Sequence, residues 1–258
     1  MIFLKTDEEI ELMRVADTIT AKALAEVAKL VAPGVSTYEL DKRAEEFIRD
    51  NGAEPNFLNY AGYPASICAS VNDVVVHGIP SKDIILKEGD IISVDCGAVK
   101  DGFHGDSCYT FPVGDISPEV MRLCKTTKEA LYKGIEMAIP GNRLGDIGAT
   151  IQQHCEAQGY GVVREMTGHG IGRAMHEDPE VLNYGKRGNG PKLKAGMCIA
   201  IEPMITMGNR SVGLLPDKWS VVTRDNKPAA HYEHTIAIRK GEAEILSSFE
   251  EIEKTVHI

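Results

Sequence analysis

The sequence predicts an α+β fold made of two related halves, each a pair of helices followed by a strand region. Three observations point there. Two helices with capping boxes open the chain, short Val- and Ile-rich runs broken by Gly, Pro or Asn follow them, and the plan returns 107 residues later.

The first helix starts at Thr6, where TDEE is a capping box. Apolar residues at Ile10, Met13, Ala16, Ala23, Val27 and Leu30 keep helical spacing until Pro33-Gly34 stops the run. The second starts near Ser36, whose STYE is another capping box, and Gly52 lies where a C-terminal cap is expected. Strands are expected in SICASV, DVVVHG and DIISVDCGAV, between residues 66 and 99.

Displaced by 107 residues, ALAEVAKLVAPG from Ala23 falls on ALYKGIEMAIPG from Ala130, and Gly52 falls on Gly159. At the same offset LKEGDIISVD, ending at Asp95, falls on LKAGMCIAIE, ending at Glu202. One offset shared by both blocks argues for two similar halves, about 1–112 and 113–258, within one domain spanning 1–258. It also places an acid at the end of an apolar strand in each half.

The stretch DCGAVKDGFHGD, residues 95–106, carries an Asp at each end. If IISVDCGAV and FHGDSCYTF pair through a two-residue loop, Lys100-Asp101 or Asp101-Gly102, strand parity puts Asp95 and Asp106 on one face as direct or diagonal neighbours. A three-residue loop would put them on opposite faces. Two carboxylates within about 8 Å on an apolar strand pair repel each other and cost desolvation unless a cation sits between them. No Lys or Arg lies on these strands beyond the turn, so a metal ion is the natural partner. A lone Asp ordinarily faces solvent or caps a turn; the repeat is what favours the metal.

Further ligands are available in the second half. His169 and His176 lie seven apart in the Gly-rich MTGHGIGRAMHEDPEV, Glu202 closes CIAIE before a Pro, and Glu233 begins a strand-like run. Four carboxylates with one or two imidazoles make an oxygen-rich site for two cations, suited to Mn, Fe(II) or Co at least as well as Zn. The other histidines, His104, His154, His231, His234 and His257, read as ordinary surface or hydrogen-bonded residues.

Composition narrows the function classes. A net charge of -10 argues against general nucleic-acid or anionic-membrane binding. No apolar run reaches the length of a membrane span and the start is too acidic for a signal peptide, so a cytoplasmic protein is expected. The six cysteines contain no CxxC pair and read as buried, reduced thiols.

With VNDVVVHGIP, VDCGAVKDGFHGDSCYTF, GHGIGRAMHEDP, IEPM and YEHT in order, the sequence resembles the bacterial-type methionine aminopeptidases of the pita-bread metallopeptidase fold, over essentially its whole length. The resemblance implies a single catalytic domain with a central antiparallel sheet flanked by helix pairs. It implies that Asp95, Asp106, His169, Glu202 and Glu233 hold two divalent ions (Co, Mn, Fe(II), Zn or Ni), with Asp106 and Glu233 bridging. His77 and His176 correspond to the family's two non-ligand active-site histidines, and Glu202 doubles as proton shuttle. Tyr60, Tyr63, Cys68 and Trp219 would wall a methionine pocket. The substrate implied is the N-terminal Met of nascent polypeptides with a small second residue, handled by a monomer that could associate transiently with the ribosome. The acidic total gives that association no electrostatic support. The sequence departs from common bacterial members at Phe57, Ala61 and Met175, which bears on the pocket's shape, and Ala229 stands where Ser is frequent beside a monovalent-cation site, so no such ion is assigned.

Three other readings make distinct demands. Enzymes cleaving Xaa-Pro bonds share the ligands but usually carry an N-terminal domain, for which a helix starting near Thr6 leaves no room. Type II methionine enzymes carry an insertion in the C-terminal half, whereas few residues separate His176 from Glu202. A catalytically silent binding module should have lost ligands, and all five positions hold competent donors.

Overall fold

The structure, a computed structural model, describes residues 1–256; His257 lies outside the described residues. Helix α1 (Asp7–Ala28) begins as its sequence dictates: Thr6 Oγ1 accepts from the Glu9 N–H while the Glu9 carboxylate accepts from the Thr6 N–H. It ends earlier than the apolar spacing predicts. The Leu30 N–H closes on Val27 O at 2.9 Å, tightening the turn ahead of Pro33, and Leu30 is left exposed. Helix α2 (Thr37–Asp50) has the same reciprocal cap through Ser36 and Glu39. Gly52 follows it at φ 66°, the left-handed conformation that closes a helix, its N–H donating to Arg49 O at 2.9 Å.

The repeat is visible in the elements. Helices α3 (Pro118–Glu136) and α4 (Leu144–Ala157) pair as α1 and α2 do, and the bounds of α4 are those of α2 displaced by 107 residues. Strand Ile91–Lys100 has its displaced counterpart in Cys198–Ile201 and Met204–Thr206, which Pro203 separates.

Strands Ile91–Lys100 and Phe103–Pro112 form the expected hairpin. Lys100 pairs with Phe103, so the loop is Asp101-Gly102, both at positive φ (52° and 78°), the primed turn that follows strand twist. Strand Glu233–Ile238 lies antiparallel between Phe103–Pro112 and Cys198–Ile201, joining the hairpin of the first half to the second. Alternation then sorts the side chains. Ile92, Val94, Cys96 and Ala98 enter the main core with Leu24, Leu40, Leu131 and Ile151, leaving Asp95 on the opposite face. A small separate sheet pairs Val74–Val76 with Val221–Thr223, and so brings the turn carrying Trp219 beside His77. All six cysteines are buried and free.

Candidate metal centre

The residues singled out in the sequence as ligands, active-site histidines and pocket wall all line one cavity. Register explains the acids. Asp95 pairs with Cys108 and Asp106 with Gly97, so the two carboxylates are diagonal neighbours on one face, as a two-residue loop requires. Glu233 pairs with Cys108 from the other side, and Glu202 follows the end of Cys198–Ile201. Four carboxylates, carried on or just beyond four adjacent strands, therefore line one cavity.

His169, on strand Gly168–Gly170, supplies the imidazole. Its Nδ1–H donates to Gly170 O at 2.9 Å, since a carbonyl can only accept, so Nε2 is left as the free donor atom. That Nε2 lies 3.8 Å from both Asp106 Oδ2 and Glu202 Oε1. Asp106, His169 and Glu233 each offer a ligand atom within 4.8 Å of the others.

The electrostatics call for a cation. Among the described residues no Lys or Arg forms an ion pair with Asp95, Asp106, Glu202 or Glu233. Asp95 Oδ1, Asp106 Oδ1 and Glu233 Oε1 are buried without a hydrogen-bond partner among them. Burial, then the neighbouring carboxylates, pushes Asp106 and Glu233 well above the usual carboxylate range. Burial raises Glu202 to about 8, and burial with the Glu202 charge raises Asp95 to about 7 against the opposing influence of His231. Burial, then His176, lowers His169 to about 4. Neutral imidazole with crowded carboxylates is the donor state a hard or borderline dication stabilises, so these residues fit the expected ions.

Beside the acids, Phe57, Tyr63, Ala65, Cys68 and Met175 form an apolar cluster with Trp219 packed against it. The Tyr63 ring meets Trp219 edge-on at 5.1 Å, its hydroxyl held by Ile67 O and Gly78 O. Tyr60 is more exposed, and its hydroxyl lies 2.8 Å from His176 Nδ1. The His176 ring stands 4.3 Å from that of His169. His77 sits at φ 60°, a conformation costly for a residue with a Cβ and concentrated at functional sites.

Two residues of this neighbourhood escape sequence reasoning. Asp17 of α1 is fully buried, and its Oδ1 accepts the Asp106 N–H at 3.2 Å, holding the strand behind that carboxylate. Its one signal is an acid seven residues after Ile10 on the apolar stripe. His231, read as an ordinary histidine, lines the cavity with Nε2 3.5 Å from Glu202 Oε2.

The sequence profile of metallopeptidase family M24 matches residues 11–240. The chain belongs to family M24. It is similar to a methionine aminopeptidase of Clostridium acetobutylicum, 53% identical over 247 residues that cover 96% of this chain and 99% of that protein. The crystal structure of methionine aminopeptidase from Thermotoga maritima matches with a TM-score of 0.95 at 44% identity, over 96% of this chain and 100% of that one. A prolidase from Pyrococcus furiosus matches at 0.78 and 24% identity, covering 95% of this chain and 65% of that one, a likeness of fold alone. The fold is thus the pita-bread fold of family M24, and the cofactors are divalent metal ions.

Proposed function

We propose that this metal-dependent aminopeptidase removes the N-terminal methionine from proteins and peptides, with a small second residue. The observation that carries the reading is the convergence of Asp95, Asp106, His169, Glu202 and Glu233 beside an apolar pocket formed by Tyr63, Cys68, Met175 and Trp219. Aromatic and sulfur contacts suit an unbranched thioether.

In this reading the five residues hold two divalent ions. When bound, the ions lower the pKa of water and polarise a carbonyl. A carboxylate oxygen of Glu202 takes the proton of the attacking water and passes it to the leaving amine. The Tyr60 hydroxyl lies 2.8 Å from His176 Nδ1; in this reading it donates there, so that the imidazole proton sits on Nε2, free to donate to the carbonyl oxygen as charge develops. His77 contacts the amide that breaks. Burial lowers His176 and takes His77 to about 4, so both act as neutral imidazoles near neutrality.

No helix among the described residues is long and apolar enough to cross a membrane. A cytoplasmic monomer acting on nascent chains, with transient ribosome association, completes the proposal. One domain spanning 1–258 belongs to it as well, and the main buried cluster, which takes residues from all four long helices, supports that.

Mass spectrometry of a Met-Ala-Ser peptide beside an Ala-Pro peptide tests the proposal, using metal-stripped protein with Mn, Fe(II), Co, Ni or Zn restored. Metal-dependent loss of Met alone is expected. Loss of Ala before Pro would move the chain to the Xaa-Pro branch, and silence with every metal would favour a binding module.

A further inference from the structure

We propose that His231 is a positioning residue that fixes the carboxylate of Glu202; the inference rests on the role proposed above for Glu202. The two oxygens of Glu202 face different imidazoles. Oε1 lies 3.8 Å from His169 Nε2, on the side of the ligand cluster, and Oε2 lies 3.5 Å from His231 Nε2. His231 is 1% exposed, and its Nε2 has no hydrogen-bond partner among the described residues. Its backbone cannot swing away. The His231 N–H donates to Thr110 Oγ1 at 3.0 Å, while His231 O accepts from Thr110 Oγ1 at 2.7 Å and from Cys108 Sγ at 3.5 Å.

Register gives the aim. His231 pairs with Met204, two residues past Glu202, so the imidazole and the carboxylate are set as diagonal neighbours. The terminal carboxylate torsion of Glu is soft, and an N–H donor on one oxygen removes that freedom. A small rotation closes 3.5 Å to a hydrogen bond. His231 is outside the trio of ligand atoms that converge within 4.8 Å, Asp106, His169 and Glu233, and it approaches Glu202 from the other oxygen. It therefore acts through Glu202: the His231 Nε2–H holds Oε2 and leaves Oε1 turned to the ligand cluster.

The test uses the full chain loaded with Co(II), comparing His231→Leu, His231→Asn, His231→Gln and Glu202→Gln. It reads kcat and KM on Met-Ala-Ser, the visible Co(II) absorption, and Co(II) affinity by calorimetry. Leu and Asn remove a donor within reach and are expected to lower kcat and Co(II) affinity about tenfold or more, with altered absorption bands and KM within about twofold. Gln places an amide N–H near Oε2 and is expected to recover kcat to within about threefold. Should His231→Leu fail to fold, His231→Asn carries the comparison. Unchanged kcat and absorption in His231→Leu and His231→Asn would overturn the proposal, as would a loss in His231→Gln as deep as in His231→Asn. Glu202→Gln separates the levels. If it lowers kcat about a hundredfold while the His231 variants match wild type, the positioning role alone falls. If it changes neither kcat nor absorption, the role of Glu202 falls and this inference with it.

Discussion

Lys5 Nζ lies 2.5 Å from Glu177 Oε2, with both side chains largely shielded from solvent. The other Glu177 oxygen accepts the N–H groups of Arg173 and Ala174, at 2.8 and 3.1 Å. One carboxylate thus ties the N-terminal segment to the turn that ends at His176. Burial alone would raise Glu177, but the Lys5 ammonium and the backbone donors outweigh it and hold it below the ordinary 4.5. Its contribution to stability is therefore present above that value and lost as pH falls. Lys5→Met keeps the side-chain stem and removes the charge, leaving the shielded Glu177 carboxylate with its two backbone donors but no cation. We expect a loss of about 3 kcal/mol in urea unfolding of the metal-loaded protein, with kcat reduced because His176 is less well held.

The acids of the candidate metal centre predict the opposite pH dependence in metal-stripped protein. Asp95 is raised from 3.8 to about 7 and Glu202 from 4.5 to about 8, so the folded state holds protons that the unfolded state has released. The stability they contribute is complete below the ordinary carboxylate values and disappears as pH rises through about 7 and 8. Thermal unfolding of the stripped protein should weaken from pH 5 to pH 8. Restoring the metal should flatten that slope, and a slope indifferent to metal would count against the proposed ligand set.

Asp95→Asn separates stability from binding. With one of the four crowded carboxylates neutralised, the stripped variant should unfold at a higher temperature than wild type at pH 8. Calorimetry on the same variant should show metal affinity lower by about tenfold or more, since an anionic ligand is lost.

Tyr60→Phe removes the hydroxyl 2.8 Å from His176 Nδ1 and little else, because this ring is already partly exposed. A single neutral hydrogen bond is worth about 0.5–1.5 kcal/mol, so kcat should fall by roughly two- to twelvefold. Steady-state kinetics on Met-Ala-Ser should place the change in kcat, with unfolding unaffected.

Local chemistry explains which parts of this fold were legible. Thr6 with Glu9 and Ser36 with Glu39 cap their helices within four residues, so both starts could be placed from sequence. The Asp101-Gly102 turn sets the parity of Asp95 and Asp106, a relation between neighbours along the chain. The end of α1 is not legible in this way, because Leu30 keeps the apolar period while the backbone has already turned. His231 and Asp17 are hidden in the sequence for another reason. Their meaning lies in Glu202 and Asp106, partners far along the chain, and neither stands in a motif that signals them. Trp219 was placed by resemblance alone, and what brings it to the pocket is the pairing of Val74–Val76 with Val221–Thr223.

Strand Glu233–Ile238 is the last of the four to supply an acid to the centre, and it lies at the middle of the sheet. A chain emerging during its own synthesis has exposed Asp95 and Asp106 long before Glu233 exists. Until then the central place in the sheet has no occupant, and the charges that need a cation have not been assembled. Catalytic competence is in this sense a completion signal. A message broken before the codon for Glu233 yields a product lacking one of the four acids, whatever part of it has folded.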